Sequence, residues 1–299
     1  MSENPVLIPG EWEHRIVHAH GARFHVVIQG EGPLVLFLHG FPTFWWLWRK
    51  FLAPVAQAGF KAAAIDMRGY GASDHPPRGY DPRTLAADVA GVIRTLGFQN
   101  AIVVGQGVGG LIAWTAATLQ SSSVRAIGSI ASAHPNALRN AMITSPTQTR
   151  ALSYVVALQT PWLAERTLQK NHARAVGELL ESWVAPDVLD SETKKIYRDA
   201  FLMGNTAHCA IEFHRWALRS VPRPDGRTFA VDMKGGVQVP VLHIHGRDDT
   251  SILLKTSLDS QEWAHGSWTS HVLEAGHLLP EQRADDVISL LVAWLKELD

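Results

Sequence analysis

The sequence of 299 residues holds a single cysteine, Cys209, so no disulfide can close within it. A lone thiol fits a reducing compartment. No apolar run approaches the roughly 20 residues of a membrane-crossing helix. The opening segment, Met1-Ser2-Glu3-Asn4-Pro5-Val6, lacks the basic-then-apolar order of a signal peptide. Charge of one sign is not in excess either: 27 Lys and Arg face 28 Asp and Glu, a formal net charge of −1. That balance gives no electrostatic reason for nucleic acid or an anionic membrane as a partner. Internal repeats and low-complexity tracts are absent too. The expectation is a cytoplasmic protein without a membrane span; no protein partner can be named.

What is present is a large apolar fraction, 46%, against 18% charged residues, the balance of a well-buried globular chain. Two early strands are read over 15–20 and 23–28, separated by Gly21. Leu34–Leu38 is a continuous apolar run of the kind buried on both sheet faces, and Lys61–Ile65 is another. Thr43 is placed to cap a helix that carries Trp45 and Trp48. Apolar residues at 85, 89, 92, 93 and 96 give a helix from Pro82 to Leu96, with Gly97 just past its end. Strands are read again at 101–104, 124–130, 239–246 and 270–273, and an amphipathic helix closes the chain over 284–298. Strand–helix alternation of this kind implies an α/β fold, a mostly parallel sheet with helices on both faces. Between His134 and Ala230 the alternation stops, and the pattern is helical and proline-punctuated. The expected organisation is a core of 1–133 and 231–299 with a helical cap of 134–230 inserted in it.

The centre of the sequence is Val103-Val104-Gly105-Gln106-Gly107-Val108-Gly109-Gly110. A β-branched strand feeds a glycine-dense turn, and an apolar helix follows. That is the context of a nucleophile elbow, in which Gly-x-nucleophile-x-Gly presents one reactive side chain at the tip of a sharp turn. The tip residue here is Gly107. The turn requires positive φ, which glycine adopts without strain, so folding loses nothing, but no covalent intermediate can form on this residue. An elbow calls for an acid and then a histidine later in the chain. Asp249, with Asp248 as the alternative, follows one strand, and His277 follows the next. The acid would orient the imidazole and His277 would act as general base. The turn His39-Gly40-Phe41-Pro42 follows an earlier strand. From it the Phe41 amide, with the Val108 amide, can form an oxyanion hole.

These residues resemble the α/β-hydrolase superfamily, and within it the epoxide-hydrolase branch, over almost the whole chain. His39-Gly40-Phe41-Pro42 with Trp45 and Trp48-Arg49 is similar to one signature of that branch. Asp66-Met67-Arg68-Gly69-Tyr70-Gly71-Ala72-Ser73-Asp74 is similar to the next, a loop to which no chemistry is assigned. Tyr154, ahead of Gln159-Thr160-Pro161, stands at the spacing of a tyrosine that donates its hydroxyl proton to the epoxide oxygen. Packing on a cap helix is its competing role. The resemblance implies an α/β-hydrolase fold and a capped pocket for an apolar small molecule, lined in part by Trp45 and Trp162, with no cofactor and no metal.

Departures from the branch are equally specific. It carries Asp where this chain has Gly107, and His214 stands in place of its second ring-opening tyrosine. Imidazole can donate a proton, so that exchange is one the chemistry can tolerate. Gln106 replaces a more usual His. Val108 stands where haloalkane dehalogenases carry a halide-binding Trp, which argues against dehalogenation. Three readings follow: a hydrolase scaffold with covalent hydrolysis impaired or absent, a non-catalytic binder of small molecules or protein, or a weak hydrolase in which His277 activates water directly. His243 and His245 share a strand face at a spacing zinc ligands can use, but no third ligand is evident. Gly105-x-Gly107-x-x-Gly110 matches a dinucleotide fingerprint in spacing but not in position along the sheet.

Overall fold

The computed structural model describes residues 4–298; residue 299 and residues 1–3, which open the segment read above for a signal peptide, lie outside it. Eight strands form one sheet: β1 (Glu13–Ala19), β2 (Ala22–Gln29), β3 (Leu34–Leu38), β4 (Lys61–Ile65), β5 (Ala101–Gln106), β6 (Val124–Ile130), β7 (Val241–Gly246) and β8 (Trp268–Leu273). Their order is β1-β2-β4-β3-β5-β6-β7-β8, antiparallel at β1/β2 and β2/β4 and parallel from β4 to β8. This is the mostly parallel α/β sheet read from the sequence. From β3 the chain steps outward to β4, then returns to lay β5 on the other flank of β3. Loops leaving β3 and β5 therefore diverge, and the crevice between their carboxyl ends is where open α/β sheets bind ligands.

Side-chain alternation along β3 explains its unbroken apolar run. Val35 and Phe37 join Trp48, Phe51, Leu291 and Trp294 on one face of the sheet. Leu34, Leu36 and Leu38 join Val89, Ile93, Ile112 and Trp114 on the other. Helices Arg49–Gln57 and Ala284–Glu297 cover the first face; Pro82–Thr95 and Val108–Leu119 cover the second. With both faces covered, neither side of β3 can carry a polar residue without burying it. The expected cap by Thr43 is not formed. A 3-10 turn, Trp45–Trp48, precedes the helix, and the Thr43 hydroxyl donates instead to the Gly40 carbonyl at 3.0 Å.

The run between β6 and β7 is helical throughout: Pro135–Thr144, Pro146–Ala151, Ser153–Ala157, Leu163–Glu181, Ser191–Phe201, Thr206–Arg219 and Pro224–Asp232. Pro135–Thr144 packs against Leu254–Leu258 of the sheet-bearing part. The middle helices reach the loops at the carboxyl ends of the strands. Tyr197 donates its hydroxyl to Glu281 Oε1 at 2.5 Å, and both Arg49 guanidinium nitrogens bind the same carboxylate. The Arg49 guanidinium also lies 3.5 Å over the Trp46 ring. This nearly buried knot fastens the inserted helices to the sheet-bearing part. Among the described residues no helix is long and apolar enough to cross a membrane.

Candidate active site

Glycines of the β5 turn serve two different ends. A Cβ on Gly105 would stand 2.2 Å from the Gly109 carbonyl carbon, and one on Gly109 would stand 2.3 Å from the Leu38 oxygen. Those two positions admit glycine alone, because strand and helix backbones meet there. Gly107 is different. Its backbone lies at φ 55°, ψ −118°, fixed by its N–H on the Ile130 carbonyl (3.0 Å) and by the Ser132 hydroxyl on its own carbonyl (2.7 Å). A Cβ built on it would meet only His277, with Nε2 at 3.3 Å and Cε1 at 3.8 Å. The side-chain direction at 107 is aimed at an imidazole nitrogen.

The imidazole of His277 is held from three sides. Nδ1 lies 2.7 Å from Asp249 Oδ2. Its backbone N–H donates to the Trp183 carbonyl at 2.8 Å, and its carbonyl accepts from Gln106 Nε2 at 3.1 Å. Asp249 is itself fixed, because Oδ1 accepts the amides of Ser251 (2.7 Å) and Ile252 (2.8 Å). A proton on Nδ1 shared with the carboxylate leaves Nε2 with its lone pair facing Gly107, the tautomer a general base requires. Asp248, the alternative acid, is exposed to solvent. His245 stands 3.4 Å from Asp249 Oδ2 and donates Nε2–H to the Ile252 carbonyl at 2.8 Å. Burial lowers its pKa, so it stays neutral and adds no competing charge.

The turn after β3 abuts this elbow. A Cβ on Gly40 would lie 2.8 Å from the Gln106 carbonyl oxygen and 3.4 Å from the Val108 amide nitrogen, which puts the neighbouring Phe41 beside the first turn of the helix. The Phe41–Pro42 peptide is cis. His39 holds the turn from beneath, with Nδ1 on the Gly40 carbonyl and Nε2 accepting the Met67 amide, both at 3.0 Å. Asp66 accepts the Trp45 and Ala72 amides and pairs with His25, so the 66–74 loop does structural work, as read. A cavity of about 10 Å³, room for roughly one water, is lined by Phe41, Val108 and His214 together with Tyr70 and Cys209.

Tyr154 and His214 reach the same region from the inserted helices. The Tyr154 ring is 6.3 Å from His214 and 6.1 Å from Trp183, and the His214 ring meets Phe41 edge-on at 4.8 Å. Burial pushes the Tyr154 hydroxyl pKa up to about 12, which keeps it a proton-bearing donor at neutral pH. Burial lowers His214 to about 4, so its ring is neutral. Its Nδ1 donates to the Ala210 carbonyl at 3.3 Å, which leaves Nε2 an acceptor. A neutral imidazole in that tautomer does not replace a tyrosine hydroxyl as donor.

Two expectations are corrected. Trp45 lines no pocket: it is fully buried against Trp12, His14 and His25, with Nε1 donating to the Val6 carbonyl at 2.8 Å. Its indole fills the core because the 3-10 turn directs it inward. Trp162 is 86% exposed, ahead of helix Leu163–Glu181 on the outer surface, beside Glu165, Arg166 and His208. It stands at a helix entrance with φ 66°, which turns its side chain to solvent. His243 is engaged by serines, with Nε2 2.6 Å from Ser257 Oγ and Nδ1 2.9 Å from Ser270 Oγ. Among the described residues no group of three or more His, Cys, Asp and Glu could hold a metal ion.

Sequence reading missed Trp183 and Gln148. Trp183 packs its indole on the His277 ring at 4.8 Å as well as supplying the carbonyl. Gln148 braces the acid loop from the inserted helices, donating to the Ser251 carbonyl at 2.8 Å and accepting the Leu253 amide at 2.9 Å. Neither carries a local motif, and their partners lie about a hundred residues away.

Comparison with known proteins agrees with this fold. The chain belongs to the alpha/beta hydrolase fold family, whose profile matches residues 33–284. The AB hydrolase superfamily protein YfhM of Bacillus subtilis is 27% identical over 286 residues, 94% of this chain and 97% of that protein. Human epoxide hydrolase 4 is 28% identical over 287 residues, 93% of this chain and 76% of that protein. An epoxide hydrolase from Bacillus megaterium, solved with an inhibitor, superposes with a TM-score of 0.83 at 22% identity, covering 94% of this chain and all of that one. The scaffold is that of an epoxide-hydrolase-like α/β-hydrolase.

Proposed function

We propose that this chain is an epoxide-hydrolase-like protein that has kept the acid–base pair and the amides of an oxyanion hole while losing the covalent nucleophile. Epoxide hydrolysis through an ester on the enzyme is then impaired or absent. One observation carries the reading: the side-chain direction at Gly107 runs to within 3.3 Å of His277 Nε2. An aspartate at 107 would place its carboxylate next to the base that hydrolyses the ester. His277 and Asp249 are the base and its orienting acid, and Tyr154 is the hydroxyl donor to a strained oxygen. His214 no longer supplies the second. The helices of 134–230 serve as the cap over an apolar small molecule.

A residual hydrolase in which His277 activates water directly is favoured by one feature, the Nε2 lone pair turned toward Gly107. Hydrolases stripped of their nucleophile retain roughly 10³–10⁴-fold over water, far below an intact enzyme. Turnover of a panel of aryl and alkyl epoxides separates the cases. The proposal expects the wild-type chain at or below that residual level, and a gain of at least about a hundredfold in Gly107→Asp carrying His214→Tyr. Wild-type turnover at ordinary enzyme rates would overturn it. Activity at the residual level that His277→Gln abolishes would establish direct water activation. Binding of hydrophobic small molecules, seen as thermal stabilisation without turnover, would establish a binder.

A further inference from the structure

We propose that the notch over Gly107 is a binding site for a carboxylate, taken up from solution in place of the side chain the chain itself does not supply. The inference rests on the reading of Gly107 as the former nucleophile position. An aspartate side chain beyond Cα is CH2–COO⁻, so glycine and a free short carboxylate together offer the same functional group in two pieces. Formate is the best match, because an unbonded ligand must stand at van der Waals distance from the Gly107 Cα. Acetate is larger by one methyl group.

Three groups define the notch. The Val108 amide opens the helix Val108–Leu119, and no hydrogen bond within the described residues engages it or the Phe41 amide. Each amide is a free donor, and the helix terminus adds its dipole. The third group is independent of the helix. The His277 side chain is only 6% exposed, and its Nε2 has no hydrogen-bond partner among the described residues and faces the notch. A carboxylate oxygen supplies this nitrogen with a charge-assisted partner once Nε2 carries a proton. The titratable groups around this imidazole are Asp249 on Nδ1, His245 behind Asp249, and Tyr154 beyond Trp183. His245 and Tyr154 are both neutral beside it. Gly107 and Val108 are half-buried, so the notch is reachable by a small solute.

Binding therefore takes up a proton at Nε2 and weakens as pH rises. The test is an NMR titration of the full chain, labelled with ¹⁵N-histidine, at fixed pH. Sodium formate, acetate and hexanoate are compared with sodium chloride at matched ionic strength. The expected result is saturable movement of the His277 ring signals toward imidazolium values with formate and not with chloride. Affinity should fall at least about tenfold in Gly107→Asp, whose own carboxylate occupies the notch, and in His277→Gln followed by calorimetry. Tightest binding by hexanoate would identify the carboxylate as the end of a longer apolar ligand running under the cap. Signals that follow chloride and formate alike would overturn the proposal, as would undiminished binding in both variants. The titration of the wild-type chain decides the matter even if Gly107→Asp fails to fold. Ester formation by Gly107→Asp without carboxylate binding by the wild type would overturn this inference alone.

Discussion

The carbonyl oxygen of Trp183 accepts the backbone N–H of His277 at 2.8 Å, so a residue of the turn just past helix Leu163–Glu181 fixes the residue read as the base. The approach is close enough that a Cβ on Gly276 would stand 2.2 Å from that oxygen, which makes glycine obligatory there. The Trp183 indole adds an edge-on contact to the imidazole at 4.8 Å and is 4% exposed. Trp183→Ala keeps the backbone bond and removes the ring. Burial of this kind predicts a loss of about 3 kcal/mol in urea unfolding, together with broadened His277 ring signals. A loss below about 0.5 kcal/mol would mean that the inserted helices do not brace His277.

The two tryptophans assigned to a pocket by sequence behave oppositely in the structure, and mutation separates them. Trp45→Ala removes a fully buried indole and its bond to Val6, and is expected to destabilise by about 3–5 kcal/mol. Trp162→Ala removes a side chain that is 86% exposed and is expected to stay within about 0.5 kcal/mol of wild type. It should also leave the affinity for apolar ligands unchanged. Chemical denaturation and a thermal-shift ligand screen check both, and ligand affinity lost in Trp162→Ala would restore the original assignment.

Burial of His214 makes stability depend on acid. Its pKa is near 4 in the native chain against an ordinary 6.5, so above pH 6.5 both states are neutral and the group contributes nothing. Between pH 6.5 and 4 only the unfolded chain takes the proton, and native stability falls as pH falls, by up to about 3 kcal/mol. His243 and His134, both lowered by burial to about 3, act with the same sign. His214→Phe should therefore gain about 2 kcal/mol relative to wild type on going from pH 7 to pH 4.5. Unfolding curves at the two pH values measure it, and equal differences at both would contradict the burial of this ring.

The frame and the pairing of Asp249 with His277 were legible in the sequence because each had a local signal. The apolar run of β3 follows from a strand covered on both faces, and Gly105 and Gly109 mark where two backbones nearly touch. Asp249 and His277 each follow a strand, and chain order alone put them at the same sheet edge. The sequence put Asp249 ahead of Asp248 by its place in the chain alone; the amides of Ser251 and Ile252 hold Asp249 inward, and His277 lies 2.7 Å from its carboxylate. Trp45 was misread because an aromatic beside a signature turn looks the same facing the core or facing a pocket. Trp183 and Gln148 were illegible, since their roles depend on how distant helices dock, and no spacing records that.

Denaturing mass spectrometry of the double variant Gly107→Asp, His277→Gln after exposure to an epoxide tests the central claim most directly. The account predicts an adduct of one epoxide mass, mapped to residue 107 and persistent because no base remains to hydrolyse the ester. The wild-type chain and His277→Gln alone should carry none. A folded double variant that stays unmodified, or an adduct on the wild-type chain, would contradict it.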